Sequence, residues 1–274
     1  MKVHHLNCGT MRSPGGRLLD GQPGLARRSS MVAHCLLLET PDSLVLVDTG
    51  FGTHAVADPD GWLGRGFRVM TGAKPSYEDS AVAQIRALGL DPADVRHIVM
   101  THLDVDHAGG LADFPQAVVH VSAEERKAAS APHGFAEKTR YGAAQFAHSP
   151  LWSTYPDAGE QWFGFDAVRP LRGLPPEILL VPLAGHTLGH SGVAVDTGEG
   201  WLLHAGDSYF FHGQLNPVRP ECPPGLRLLQ RLNEMDRRQR LSNEERLRTL
   251  AHDHGDEVTV FSSHSPVELR ALRR

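Results

Sequence analysis

The chain has 274 residues, 41% of them hydrophobic, which is enough to bury a sizeable core in one layered α/β domain. A formal net charge of −5 offers no basic field for nucleic acid, and no apolar run approaches the roughly 20 residues of a membrane span. The three cysteines, Cys8, Cys35 and Cys222, are too few and too widely spaced for a disulfide framework or a zinc ribbon, and the start lacks a signal-peptide apolar stretch, so a cytoplasmic protein is expected.

In chain order, strand-like runs at residues 3–8, 32–39 and 44–48 predict a first sheet of hairpin-connected strands, the third ending in Asp48-Thr49-Gly50. A glycine-rich stretch follows at 50–75, with Trp62, Phe67 and Met70 expected to be exposed along it. A helix is predicted over 77–88, capped by Ser76 and stopped by Gly89. A short buried strand then leads to Met100, and Gly109-Gly110 reads as the turn into a helix. Next come a strand at 118–121 and a helix opened by Ser122 and Glu125 in the capping-box spacing. Residues 133–176 give weak strand signals but hold Phe135, Tyr141, Phe146, Trp152, Tyr155, Trp162, Phe163 and Phe165, and read as an insertion in the single domain 1–274. Strands at 178–183, 201–203 and 258–261 complete the pattern, with one helical region over about 226–251.

The chemistry concentrates at the ends of these strands. Between Thr101 and Gly110, the residues His102, Asp104, Asp106 and His107 put two imidazoles and two carboxylates into six positions directly after an apolar run. That many titratable groups in one turn would repel or stay unsatisfied without a cation, so the loop reads as a metal site. His186 in Gly185-His186-Thr187-Leu188-Gly189-His190, Asp207 in Ala205-Gly206-Asp207 and His264 in Ser262-Ser263-His264-Ser265-Pro266 each follow a strand, as does Asp48. A rigid sheet edge can aim all of them at one point. His190 is a candidate for hydrogen bonding behind the site, His204, three residues before Asp207, reads as a satisfied core or strand-end histidine, and His97, His120 and the remaining histidines show no companion pattern.

These five pieces, in this order from residue 48 to residue 264, resemble the motifs of the metallo-β-lactamase superfamily of binuclear metallohydrolases. The resemblance implies a four-layer αββα sandwich with the site at one edge of both sheets. It places His102, Asp104 and His186 around one metal ion and Asp106, His107 and His264 around a second. Asp207 would bridge both, and Asp48 would orient the histidine-rich loop from behind. Asp104 departs from the pattern, since most members carry histidine there. The resemblance implies two divalent ions, zinc first, and because a carboxylate is a harder donor than imidazole Asp104 also admits manganese or iron. The 50–75 stretch resembles the loop that closes over substrate in many members, and its apolar part at 61–70 is equally a candidate homodimer contact. The aromatic insertion is expected to cover the metals and line an apolar acyl pocket.

The implied chemistry is hydrolysis of a small-molecule, ester-like bond by hydroxide held between the ions. Asp106 would carry the proton to the leaving group, and Tyr209 or Ser208 would donate to the oxyanion. The His264-Ser265-Pro266 ending, the Asn7-Cys8-Gly9-Thr10 start and the insertion are most similar to the N-acyl homoserine lactone lactonase branch, which puts lactone hydrolysis first. Glyoxalase-II-like thioester hydrolysis is second, favoured by the Gly-His-Thr-x-Gly-His string. A metal-dependent effector-binding module and a di-iron redox protein are the alternatives from other classes.

Overall fold

The computed structural model describes residues 1–156 and 159–273. Its first sheet runs in sequence order: β1 (Lys2–Met11), β2 (Met31–Glu39), β3 (Leu44–Val47), β4 (Val95–Val99), β5 (Val118–Ser122) and β6 (Leu151–Tyr155). The first three strands pair antiparallel and the rest parallel. The second sheet comprises β7 (Glu160–Trp162), β8 (Phe165–Pro170), β9 (Ile178–Pro182), β10 (Ser191–Asp196), β11 (Trp201–His204) and β12 (Val258–Phe261), again in sequence order. It is antiparallel except for the parallel pair of β11 and β12.

The two-residue period of the strands builds the layers. Leu36 and Leu38 of β2, Val45 and Val47 of β3 and Val99 of β4 face inward, against Ile178, Leu180, Val193, Val195 and Phe261 of the second sheet. Their neighbours Leu37, Leu46 and Ile98 face the other way, under Val82 and Ile85 of helix Ala81–Ala87. On the far side Leu179, Val181, Ala194 and Leu203 pack under Leu247 and Leu250 of helix Arg237–Asp253. The order is therefore helix, sheet, sheet, helix. Strands β2 and β3 are near-continuous apolar runs because both of their faces are covered.

Four expectations change on contact with the tertiary structure. Helix Ala81–Ala87 is capped by Ser80, whose Oγ accepts from Ala83 N at 3.1 Å, while Ser76 closes a turn with Asp79 N. The predicted helical region at 226–251 is two helices, Pro224–Asn233 and Arg237–Asp253. The chain breaks between them because Met235 N and Asp236 N both donate to Gly185 O at 2.9 Å, after which Asp236 caps the second helix through Gln239 N. Residues 50–75 form three short helices, His54–Ala57, Pro59–Leu63 and Arg65–Thr71. They are packed down rather than open: Trp62 Nε1 donates to Gly109 O at 2.8 Å, and Trp62 and Phe67 are half-buried while Met70 is exposed.

The fourth change concerns residues 133–176, which supply β6 to one sheet and β7 and β8 to the other. Their aromatic rings serve three cores rather than an acyl pocket. Tyr141, Phe146 and Trp152 pack outside the first sheet, Tyr155 lies between the sheets, and Trp162, Phe163 and Phe165 pack outside the second. The side chain of Phe135 lies outside the described residues. Among the described residues, no helix is long and apolar enough to cross a membrane.

One buried chain of hydrogen bonds went unread in the sequence. Arg172 N donates to Tyr155 Oη at 2.9 Å, Tyr155 lies 2.8 Å from His120 Nδ1, and His120 Nε2 lies 2.9 Å from His97 Nδ1. The tyrosine proton therefore goes to His120, and His120 donates onward to His97. Burial, then the positive charges of His97 and Arg172, push the His120 pKa from 6.5 down to about 3. The unfolded chain takes up this proton between those pH values and the folded chain refuses it, so stability falls as pH drops from about 6.5 toward 3. The loss is on the order of 4 kcal/mol. In urea titrations at a series of pH values, His120→Gln should show a shallower fall of the unfolding midpoint over this range than the wild type. Parallel profiles would refute the assignment.

Candidate metal centre

The parallel pairing of β3 and β4 brings Asp48 and Thr101 to one sheet edge. Asp48 has φ of 57°, a left-handed conformation that costs an L residue about 1 kcal/mol, and its carboxylate explains why glycine does not stand there. Oδ1 accepts from Thr101 N at 2.8 Å, and Oδ2 accepts from Thr101 Oγ1 and from His107 Nδ1, each at 2.8 Å. The helical turn Val105–Ala108 precedes Gly109-Gly110 instead of following it, and carries Asp106 and His107. The glycines serve close packing: a Cβ on Gly109 would stand 2.5 Å from Phe51 O and 2.6 Å from Val105 O.

The structure brings together the donor atoms of two buried triads, His102 with His186 and Asp207, and Asp106 with His107 and His264. Asp207 faces both. Its Oδ2 stands 3.8 Å from His102 Nε2 and 3.4 Å from His186 Nε2, and its Oδ1 stands 3.4 Å from His107 Nε2 and 3.1 Å from His264 Nε2. Asp106 Oδ2 lies 3.7 Å from His264 Nε2. Asp104 sits beside the first triad, its Oδ2 3.0 Å from His186 Nε2 and 3.4 Å from His102 Nε2. Donors around a four-coordinate ion with bonds of about 2.0–2.1 Å stand roughly 3.3 Å apart, so these spacings suit two ions.

Ring orientation points the same way. His107 Nδ1 is held by Asp48, His264 Nδ1 by Val32 O at 2.7 Å, and His102 Nδ1 by Thr101 Oγ1 at 3.0 Å. Each imidazole thus turns its Nε2 toward the cluster centre. The Nε2 atoms of His102 and His107, with Asp207 Oδ1 and Asp104 Oδ1, are buried and have no hydrogen-bond partner. Buried polar atoms are seldom left so, and the Nε2 atoms of His102 and His107 with Asp207 Oδ1, all within the two donor triads, fit cations as their missing partners. His190 supports the site from behind, donating to Leu183 O and accepting from Asp207 N at 2.8 Å.

Several bonds tie the two sheets at this edge. His264 Nδ1 donates to Val32 O, His204 Nε2 to His34 O at 2.6 Å, His34 N to Ser263 O at 2.9 Å and Ser191 N to Thr101 O at 2.9 Å. The donors come from both sheets, with His102 to His107 following β4, His186 following β9, Asp207 following β11 and His264 following β12.

The electrostatics are those of an anionic cradle. Burial alone would lower the His107 pKa, but Asp207, Asp48 and Asp106 raise it well above the ordinary value, and Asp207 and Asp106 likewise raise His264 against burial. Burial would raise Asp48, yet the charge and hydrogen bond of His107 hold it at about 2. His186 goes the other way, down to about 4, through burial and then the Arg140 guanidinium, against the pull of Asp207.

Tyr209 does not reach the cluster. It is fully buried in the outer core of the second sheet, and its hydroxyl donates to Glu268 Oε1 at 2.9 Å, so the oxyanion role read from sequence is corrected. The next residue, Phe210, is the aromatic at the site, its ring 4.8 Å from that of His264 and 6.0 Å from that of His186. Glu125 is the other residue missed. Its Oε1 accepts from Leu103 N at 2.9 Å and Tyr141 Oη at 3.1 Å, and its Oε2 accepts from Thr187 Oγ1 at 2.6 Å, so it braces the chain beside His102 and beside His186. Ser122 caps the helix alone, through Glu124 N at 3.3 Å.

Comparison with known proteins identifies the family and the fold. A family model for the metallo-beta-lactamase superfamily matches residues 31–253. A probable metallo-hydrolase of Mycobacterium tuberculosis is 40% identical over 268 residues, 97% of this chain and 81% of its own. An N-acyl homoserine lactonase of Azorhizobium caulinodans is 35% identical over 100 residues, 36% of this chain and 38% of that protein. Among solved structures, an N-acyl homoserine lactone hydrolase with the product N-hexanoyl-L-homoserine bound at its catalytic metal centre superposes with a TM-score of 0.68. It is 21% identical and covers 98% of this chain and 95% of that one. A probable metal-dependent hydrolase from Staphylococcus aureus gives a TM-score of 0.71 at 19% identity, over 96% and 89% of the two chains. The structural likenesses carry the fold, the family model and the mycobacterial relative carry the lineage, and the chain belongs to the metallo-beta-lactamase superfamily as one of its metallo-hydrolases.

Proposed function

We propose that the chain is a binuclear metal-dependent hydrolase that opens a lactone or a similar ester-like carbonyl. The observation that carries this reading is the pair of donor triads meeting on Asp207, with the inward Nε2 atoms of His102 and His107 buried and unpartnered. Two divalent ions, zinc by the nitrogen-rich donor set, would supply activated water and a polarised carbonyl oxygen. His102, His186 and Asp207 would hold one ion, with Asp104 beside it, and Asp106, His107, His264 and Asp207 the other. Asp48 and His190 keep the rings and the Asp207 backbone in place. Asp106 is the proton carrier to the leaving oxygen, and Phe210 walls the centre against water.

The lactone class is supported by the partial likeness to N-acyl homoserine lactonases, and thioester hydrolysis is the second reading, supported by the Gly185–His190 string. Chelator-stripped protein reloaded with zinc should hydrolyse N-acyl homoserine lactones faster than acyl thioesters, and stripping should cost at least about 10³-fold, the several kcal/mol that metal polarisation supplies. A fully loaded sample that turns over thioesters and no lactone would move the assignment to the second reading.

A further inference from the structure

Arg140 enters the cluster from the end of helix Gly134–Arg140 and is largely buried there. Its Nη1 donates to Asp104 Oδ2 at 2.6 Å and stands 3.0 Å from His186 Nε2, while Nη2 donates to Asn233 O. One guanidinium nitrogen thus sits on two of the atoms that the first subsite would offer an ion. A guanidinium has donors and no acceptor and does not shed its proton, so it approaches His186 Nε2 favourably when that nitrogen presents its lone pair. A divalent ion needs the same lone pair. The second triad has no such neighbour: among the described residues, no lysine or arginine pairs with Asp106, His107 or His264.

We propose that Arg140 is a resident cation of the first subsite, one that cancels the charge Asp104 adds and competes with the ion for Asp104 and His186, so that the two subsites fill one after the other. The proposal rests on the binuclear reading above. The Asp104–Arg140 pair carries no net charge, the same as the neutral histidine most members of the family hold at that position. A dication arriving there must share or displace the guanidinium, and like charges a few ångströms apart in a buried site repel strongly. The carbonyl of Asn233 ends helix Pro224–Asn233, the negative end of its dipole, and keeps Arg140 close when it yields.

The test is a zinc titration of metal-free protein against a chromophoric chelator, which reads affinities without any turnover. The wild type should show two steps separated by at least about tenfold. Arg140→Met should tighten the weaker step by about tenfold or more, roughly 1.4 kcal/mol, and leave the stronger step in place. Arg140→Lys, which keeps the charge, should stay near the wild type. A weaker step that is unmoved or loosened in Arg140→Met overturns the proposal, because the arginine would then merely hold Asp104 in position. Equal affinities in the wild type overturn it as well, and that measurement stands even if the variant fails to fold. If no zinc binds at all, the binuclear reading falls and the proposal with it.

Discussion

Asp207→Ala should lower kcat/KM for the preferred substrate by at least about 10³-fold and leave one equivalent of metal or fewer per chain. Among the described residues, Asp207 is the one carboxylate whose two oxygens face histidines of both triads, at 3.1 to 3.8 Å. Without it the first triad keeps only His102 and His186, and the second, still Asp106, His107 and His264, loses the carboxylate that faces the Nε2 atoms of both its histidines. Polarisation by metal is worth several kcal/mol, and each 1.36 kcal/mol is a factor of ten. The local backbone should survive, because Asp207 N remains bonded to His190 Nε2 and Ser263 N to Gly206 O. Metal content by mass spectrometry, set beside the rate, separates loss of ions from loss of chemistry. Two ions retained, or activity within tenfold of wild type, would contradict the bridging role.

Glu125→Ala should give the largest loss of stability. Its carboxylate is completely buried and accepts from Leu103 N, Tyr141 Oη and Thr187 Oγ1. Truncation leaves three interior donors without an acceptor, at about 1–3 kcal/mol each taken singly, and because the three share one cavity and do not add in full, a total of roughly 3–6 kcal/mol is expected. For a chain of this size that is a fall in Tm of about 10–20 °C by calorimetry. Glu125→Gln keeps an oxygen and the shape and should lose less. Leu103 lies between His102 and Asp104, and Thr187 follows His186, so the same variant should also loosen the first subsite while the second is spared. A Tm within about 2 °C of wild type would refute the bracing role.

Much of the centre was legible because its donors lie directly beyond apolar strands, where a local pattern suffices. Asp48, His102, Asp106, His107, His186, Asp207 and His264 all fall at such ends, and the fold gathers them at one edge. What failed depended on direction or on distant partners. Tyr209 and Phe210 follow Asp207 in an irregular segment with no period to say which side chain turns inward, and it is the phenylalanine that does. Glu125 has the spacing of a capping box, yet it shares a helix face with Ala128 and Ala129, which pack on the core, and that face carries its carboxylate inside. The break between Asn233 and Arg237 has no glycine or proline to announce it, since it is imposed by Gly185 O from another part of the chain. Arg140 could not have been found from its neighbours, because its partners lie 36, 46 and 93 positions away.

The bonds that cross between the sheets give the inner apolar layer a second meaning. Val32 O, His34 O and Thr101 O belong to one half and their donors His264, His204 and Ser191 to the other, so the spacing of the two triads measures how the halves are seated on each other. Neither half could keep its share of the centre while drifting along the other. Selection for metal spacing would therefore be felt at Leu36 and Val193, which supply no donor atom, and an evolutionary change of volume there would alter the chemistry before it threatened the fold.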